Sequence, residues 1–236
     1  MNIILLSKDD FSGPKGKVSL NGRRHKHILE VLKASVGDEL CVGVAGGLIG
    51  TGRVTAIDKT SVEMETALDR EPPRKLPLKL VLALPRPIVF KRLLAQITAL
   101  GVKSVVVINS ARVDKSYWKS LSLKDEKIGE ELARGLEQAK DTILPEVKFQ
   151  PSFRRFLEDD MPRIVNEGRL FLAHPYASSF RPDKSVGQSA VIVGPDGGFV
   201  THEIEALKTL GCEPVSIGER ILRVETAVVA FISAFL

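Results

Sequence analysis

The chain has 236 residues, 44% of them hydrophobic and 27% charged. That is enough for one large domain or two modest ones with real cores, and too balanced for a disordered or fibrous chain. A formal charge of +5 and a pI near 9.2 favour an anionic partner, while two widely separated cysteines, Cys41 and Cys212, exclude a disulfide framework and read as reduced thiols of a cytosolic protein. The apolar runs at the two ends, NIILL and AVVAFISAFL, are too short for a secretory signal or a bilayer-spanning helix, so the expected location is cytoplasmic, with no membrane partner.

The first part of the chain reads as short strands and turns. NIILL, KVSL, ELCVGV, LIGTGRVTAI and SVEMETAL are separated by the turn signals Gly37-Asp38, Gly46-Gly47 and Asp58-Lys59. One helix is predicted among them, over His25–Ala34, with Ile28, Val31 and Leu32 at i, i+3 and i+4. Many short strands with a single helix predict a small β-barrel over residues 1–71. The run EPPRKLP, Glu71–Pro77, then breaks any regular element and reads as a linker.

Strand–helix alternation follows over residues 72–236. LKLVLALP and VKSVVVINS read as buried strands, with the helix VFKRLLAQITALG between them ending at Gly101. A helix over Asp125–Lys140 leads to strands at EVKF, RLFLAH and SAVIV. THEIEALKTLG carries Thr201 as the expected N-cap, Glu203 in its first turn and Gly211 as its stop. EPVSIG is the last predicted strand and ETAVVAFISAFL the last helix. Continuous apolar runs such as VVVI fit a parallel sheet covered on both faces, so the expected architecture is a β-barrel followed by an α/β domain.

Positive charge is concentrated. Between Pro85 and Lys119 stand Arg86, Lys91, Arg92, Lys103, Arg112, Lys115 and Lys119 against the single acid Asp114. Arg23-Arg24-His25-Lys26 forms a second cluster, which suits either a phosphate backbone or a solvated helix start. Together they favour an RNA surface, to which Arg23, Arg24, Lys26, Lys33, Arg86, Lys91, Arg92 and Arg112 are assigned. Tyr117-Trp118 beside Lys115 and Lys119 suits base stacking or the packing of a loop. His25 and His27 fall on different sides of a helix with no third ligand near in sequence, so no metal is expected.

In open α/β sheets ligands bind beyond the carboxyl ends of strands, and three such ends are unusual here. They are LAHP (Leu172–Pro175), VGPDGGF (Val193–Phe199) and SIGERILRVETA (Ser216–Ala227). Neither dinucleotide nor triphosphate fingerprint is present. Asp196-Gly197-Gly198 is compatible with a plain turn, with close approach of a ligand to backbone, or with an anion at the following helix N-terminus. Arg220, Arg223 and Glu225 crowd an apolar region, either as a structural Arg–Glu pair or as charges aimed at a substrate.

GPDGGF followed by a helix, then SIGERILRVETA with a terminal helix, resembles the RsmE family of ribosomal RNA uridine N3-methyltransferases, members of the SPOUT (α/β-knot) class, whose pattern is close to GPEGGF…LGxRILRxETA. In the first part, HILEVLKASVGDEL is similar to the family's H-x-x-x-V-L-R-x-x-x-G-D, with Lys33 at the arginine position. The resemblance extends over the whole chain. It implies a small N-terminal PUA-like β-barrel followed by a SPOUT domain with a C-terminal trefoil knot, usually in a homodimer. It implies S-adenosyl-L-methionine as cofactor, held by Leu172, His174, Gly194, Pro195, Asp196, Gly197, Gly198, Ile217, Gly218, Leu222, Arg223 and Thr226. Ribosomal RNA or the small ribosomal subunit is the implied partner. The chemistry then assigns Arg223 to stabilising a uracil anion and Glu225 to orienting groups or accepting the N3 proton. Where the family carries QKATELG this chain has AQITALG, with Gln96 and Ala99 at the Lys and Glu positions. The usual SERS reads Ser110-Ala111-Arg112-Val113, and Asp141 stands where an arginine is expected, which implies altered RNA contact with Lys140 as compensation. Two other readings of the residues are a catalytically altered RNA-binding relative, or a methyltransferase of a different RNA, and a small-molecule nucleotide enzyme.

Overall fold

The computed structural model describes residues 2–12, 16–179 and 187–236. They form two units, the first running to Arg74 and including Ala133–Leu144, the second comprising Lys75–Leu132 and Pro145–Leu236.

In the first unit, β1 (Ile4–Leu6), β2 (Lys17–Leu20), β3 (Glu39–Val44), β4 (Ile49–Ile57) and β5 (Val62–Arg70) make one curled mixed sheet in the order β1-β3-β4-β5-β2. Only the β1–β3 pairing is parallel. The two-residue period of β5 turns Val62 and Met64 inward and Glu63 and Glu65 outward. Val62 and Met64 join Ile4, Leu6, Val18, Leu20, Val42 and Val54 in the core.

The helix expected over His25–Ala34 is shorter and changes type. An α-helical turn α1 (Gly22–Lys26) runs into a wider π turn at His27–Val31, where the Leu32 amide bonds the His27 carbonyl at 3.0 Å. The wider turn breaks the 3.6-residue phase. Ile28 is buried, but Val31 and Leu32 face out, 64% and 40% exposed.

Two of the expected RNA-facing arginines are engaged within this unit. Arg24 makes a two-pronged pair with Asp10, at 2.6 Å on each arm, and bonds the Leu5 carbonyl at 2.9 Å. Arg23 grips Glu137 in the same way, at 2.9 and 2.6 Å. Lys26 and Lys33 are exposed, Lys33 in the left-handed region at φ 52°. Burial pushes the Asp10 carboxyl up, but hydrogen bonds from Arg24 and from the Ser7 amide and hydroxyl outweigh it and hold it below its ordinary value. A carboxylate with a depressed folded-state pKa stabilises above its unfolded pKa, and that stability is lost as pH falls through the folded value. Asp10→Asn is therefore expected to lower the unfolding free energy by about 3 kcal/mol at pH 7, with the gap from the native chain closing below about pH 4. Urea unfolding of both proteins across that range checks it.

Asp141 lies in this unit and is a turn-former. Lys140, at φ 54°, ends the preceding helix in the left-handed position usually given to glycine, and the buried Asp141 accepts the amides of Thr142 and Ile143 at 2.6 and 2.9 Å. Its acidic character therefore serves the backbone of this turn.

The second unit is a six-stranded, all-parallel sheet in the order β11-β9-β10-β6-β7-β8. Its strands are β6 (Leu78–Ala83), β7 (Ser104–Ile108), β8 (Glu146–Gln150), β9 (Arg169–Ser179), β10 (Ser189–Val193) and β11 (Glu213–Ser216). Central β10 is buried at every position, as covering on both faces requires. The main helices are α2 (Pro87–Ala99), α6 (Thr201–Thr209) and α7 (Val224–Ser233), with α2 packed against α7, and α3 (Asp125–Ala139), whose residues from Ala133 onward count with the first unit. Between β8 and β9 runs a helical path the sequence pattern conceals: α4 (Phe153–Arg155), a π turn at Phe156–Asp160 and α5 (Met161–Val165). Its buried Phe156, Met161 and Ile164 fall out of helical phase because of that turn and Pro162.

Two local features shape the ligand end of the sheet. β9 pairs with β11 at Phe171 and Leu172, then again only at Ser178 and Ser179, so residues 173–177 stand outside that ladder. The cap of α6 is Val200, not Thr201, which is the first helical residue. Valine has no acceptor, and the capping group is Glu203, which takes the Val200 amide at 3.1 Å.

Candidate active site

Because all six strands run parallel, their carboxyl ends open on one edge of the second unit, and the three unusual segments meet there. A recess of about 350 Å³ is lined by Ala173–Tyr176 after the β9–β11 register break, Val193–Phe199 after β10, and Val215–Gly218 with Arg220–Leu222 after β11. Arg112 completes its wall, with Val224, Ala227 and Phe231 of α7. The volume lies within the roughly 300–1,000 Å³ of small-molecule sites.

Of the residues assigned to a cofactor, His174, Gly194, Pro195, Asp196, Gly197, Gly198, Ile217, Gly218 and Leu222 line this recess. Leu172 and Thr226 do not: Leu172 is wholly buried in the sheet, and Thr226 is an exposed residue of α7. Arg223 turns to a second recess.

The Gly-Pro-Asp-Gly-Gly segment is both a turn and a wall. The Gly198 amide closes it on the Pro195 carbonyl at 2.7 Å, and Gly198 takes φ +69°, which disfavours any side chain. At Gly194 an added Cβ would meet the Phe199 ring at 3.1 Å and its amide at 3.2 Å. The loop's own packing therefore demands the small residue there, alongside any approach by a ligand.

The end of β7 is tied to this loop. Arg112 donates to the Gly197 carbonyl. Glu203, 2% exposed, takes the Ala111 amide at 2.7 Å with one oxygen and caps α6 with the other. An acidic side chain thus already occupies the helix N-terminus that the glycines suggested for an outside anion. Sequence spacing marks Glu203 only as a first-turn acid, since Ala111 lies 92 positions away. His174 accepts the Tyr176 amide at 3.3 Å through Nδ1. Half-buried Trp118 donates to Asn109 at 3.0 Å and packs edge-on against Phe149, so it secures a loop.

The second recess, also about 350 Å³, is lined by Arg86, Val89, Asp196, Ile221, Leu222, Arg223 and Glu225. Asp196, Ile221 and Leu222 border both recesses. The side chain of Arg223, the N-cap residue of α7, makes no hydrogen bond or ion pair among the described residues, and neither does that of Glu225. A structural Arg223–Glu225 pair is absent there, and both charges remain available to a ligand. Arg86 is held through Nε by Asp196 at 3.2 Å. Lys91 pairs with the nearly buried Glu131 at 3.5 Å, and Arg92 is exposed on the same helix. Among the described residues no helix is long and apolar enough to cross a membrane, and no group of three or more His, Cys, Asp or Glu gathers as a metal site would. Burial pushes the Cys212 thiol up to about 12, so it is a packing residue.

A family model for the RNA methyltransferase domain matches residues 72–236. Ribosomal RNA small subunit methyltransferase E of Treponema pallidum (strain Nichols) is 29% identical, the match covering 98% of this chain and 88% of that protein. Ribosomal RNA small subunit methyltransferase E 1 of Borreliella burgdorferi is 26% identical over 98% of this chain and 95% of its own. The crystal structure of a ribosomal RNA small subunit methyltransferase E from Neisseria gonorrhoeae, bound to S-adenosyl methionine, shares the fold with a TM-score of 0.76 at 24% identity, covering 99% of this chain and 96% of that one.

Proposed function

The chain belongs to the RNA methyltransferase domain family, and from that premise we propose that it methylates N3 of a uridine in 16S ribosomal RNA with S-adenosyl-L-methionine as donor. The observation that carries this reading is the junction of the two recesses at Asp196, Ile221 and Leu222, which puts a cofactor-sized site beside one holding unpaired Arg223 and Glu225. The first recess suits the cofactor chemically. Apolar Ala173, Ile217, Leu222 and Phe231 offer surfaces for an adenine ring, and loop backbone at Gly194 and Gly218 offers polar groups that no side chain screens. When bound, the cofactor supplies an electrophilic methyl: its carbon takes the N3 electron pair, the old bond's pair stays on sulfur, and the N3 proton leaves to a base.

The residues of this chain make that transfer feasible. N3 of uridine is protonated at neutral pH and nucleophilic only as the anion, so a fixed guanidinium lowers the barrier by stabilising the charge that develops. Arg223 has that role, and Glu225 orients the base or takes its proton. Exposed Lys26 and Lys33 in the first unit, and Arg92 in the second, contribute RNA backbone contacts. We read the first unit as a PUA-like barrel and the crossover from β10 past β9 to β11 as part of a trefoil knot. The working form is a cytoplasmic homodimer acting on ribosomal RNA or the small subunit.

Calorimetric titration tests the cofactor site. S-adenosylmethionine is expected to bind saturably and ATP not at all, and Gly197→Val, whose side chain would press on Arg112 Cδ, 3.1 Å from the position of a Cβ, is expected to abolish binding in a folded protein. Appearance of 3-methyluridine in 16S ribosomal RNA of a deletion strain on re-expression completes the test. Binding of ATP alone would overturn the reading.

A further inference from the structure

The cations assigned to RNA are not equivalent. Arg23 and Arg24 spend both arms of their guanidinium groups on carboxylates. Arg86 is attached differently. It is the N-cap of α2, its side chain is 65% exposed, and the one hydrogen bond of that side chain among the described residues runs from Nε to Asp196. A guanidinium has five N–H donors, so the two Nη groups keep theirs, while the anchored Nε restricts the swing of the side chain and lowers the entropy cost of binding. Asp196 belongs to the loop that walls the first recess, so the anchor ties Arg86 to the cofactor-side loop.

The second recess therefore contains two donor forks, Arg86 and Arg223, an acceptor, Glu225, and the aliphatic side chains of Val89, Ile221 and Leu222. A phosphodiester is a poor occupant, because Glu225 and Asp196 repel it and the aliphatic groups give it nothing. A pyrimidine ring fits better, its faces against the aliphatic groups. Along its imide edge uracil presents an acceptor, a donor and an acceptor: O4, N3–H and O2. Two guanidinium groups and one carboxylate are the complementary set. Cytosine presents a donor at position 4 and a bare acceptor at N3, so one arginine would face an amino group and the carboxylate a lone pair.

We propose that Arg86 is a second catalytic arginine, which with Arg223 holds the two uracil carbonyl oxygens, and that Asp196 is its positioning residue. This rests on the uridine N3 reading above. As the N3 proton leaves to Glu225 or to water, negative charge spreads over O2, N3 and O4, and a donor on each oxygen bears more of it than one alone. The charged groups around the bound ring are Arg86 from α2, Asp196 from the loop after β10, and Arg223 and Glu225 from the start of α7. The pair also selects uracil over cytosine.

The test is single-turnover methyl transfer to small ribosomal subunits lacking the modification, measured from about pH 6.5 to 9. Native protein must first methylate uridine N3; if it does not, the functional reading fails and not this one alone. With Arg86→Ala the rate at pH 7 is expected to fall roughly 100-fold, the deficit to shrink as pH rises, and S-adenosylmethionine affinity by calorimetry to stay at the native value. The deficit is also expected to shrink on RNA transcribed with 5-fluorouridine, whose N3–H is more acidic. Asp196→Asn should give a smaller deficit of the same pH form. Arg86→Gln serves should the alanine variant fail to fold, and carries the same expectation. A deficit equal at every pH and on both RNAs, or a change confined to subunit affinity, overturns the proposal and makes Arg86 a backbone contact.

Discussion

Arg223→Ala is expected to reduce single-turnover methyl transfer at neutral pH by about 10²–10³-fold, the loss typical of removing one donor from a developing anion. The side chain is exposed and has no partner among the described residues, so folding stability should move by less than about 0.5 kcal/mol. This combination distinguishes it from a structural arginine, whose loss would cost stability first. Arg223→Lys keeps the charge but not the planar fork, and should recover part of the rate. Measurement of rate and urea midpoint on the same preparations decides the matter: native turnover in a folded Arg223→Ala protein would remove the residue from the mechanism.

The opposite signature is expected at Glu203. Its buried carboxylate takes the Ala111 amide with one oxygen and the Val200 amide with the other. Glu203→Ala leaves two amides unsatisfied, at about 1–3 kcal/mol each, and frees the segment carrying Arg112 from the loop that Arg112 itself braces. A stability loss of about 3 kcal/mol is expected in urea unfolding, together with weaker S-adenosylmethionine binding by calorimetry. Glu203→Gln keeps one acceptor oxygen and should fall between. An unchanged midpoint with native cofactor affinity would show that the two loops hold their positions without it.

The sequence showed the two units' character because burial imposes periodicity. VVVI and SAVIV fit strands covered on both faces, and VEMETAL alternates because one side meets water. The three ligand-end segments were legible for a related reason, since glycines and charges interrupt apolar runs where a recess lies. What escaped depended on distance or on unusual turns. The π turn after α1 put Val31 and Leu32 on the surface, and another concealed the helical path at 153–165. The partners Arg23–Glu137, Arg24–Asp10 and Ala111–Glu203 lie 114, 14 and 92 positions apart, and nothing local reveals them. Charge alone therefore could not tell a cation consumed by the fold from one left for substrate.

The assignment of Ala133–Leu144 to the first unit bears on the order in which the chain can mature during synthesis. The strands of that unit have all been made by Arg70, but Glu137, which takes Arg23, and Thr142, whose hydroxyl donates to Gly47 at 2.5 Å, come much later. At about 5–20 residues per second, the 70 positions from Arg74 to Leu144 take roughly 4–14 s to translate. Over that interval the emerging sheet lacks those two partners, while β6 and β7 are being made and α3 is incomplete. The N-terminal unit cannot finish first and wait, and its final consolidation becomes a step in the making of the catalytic unit.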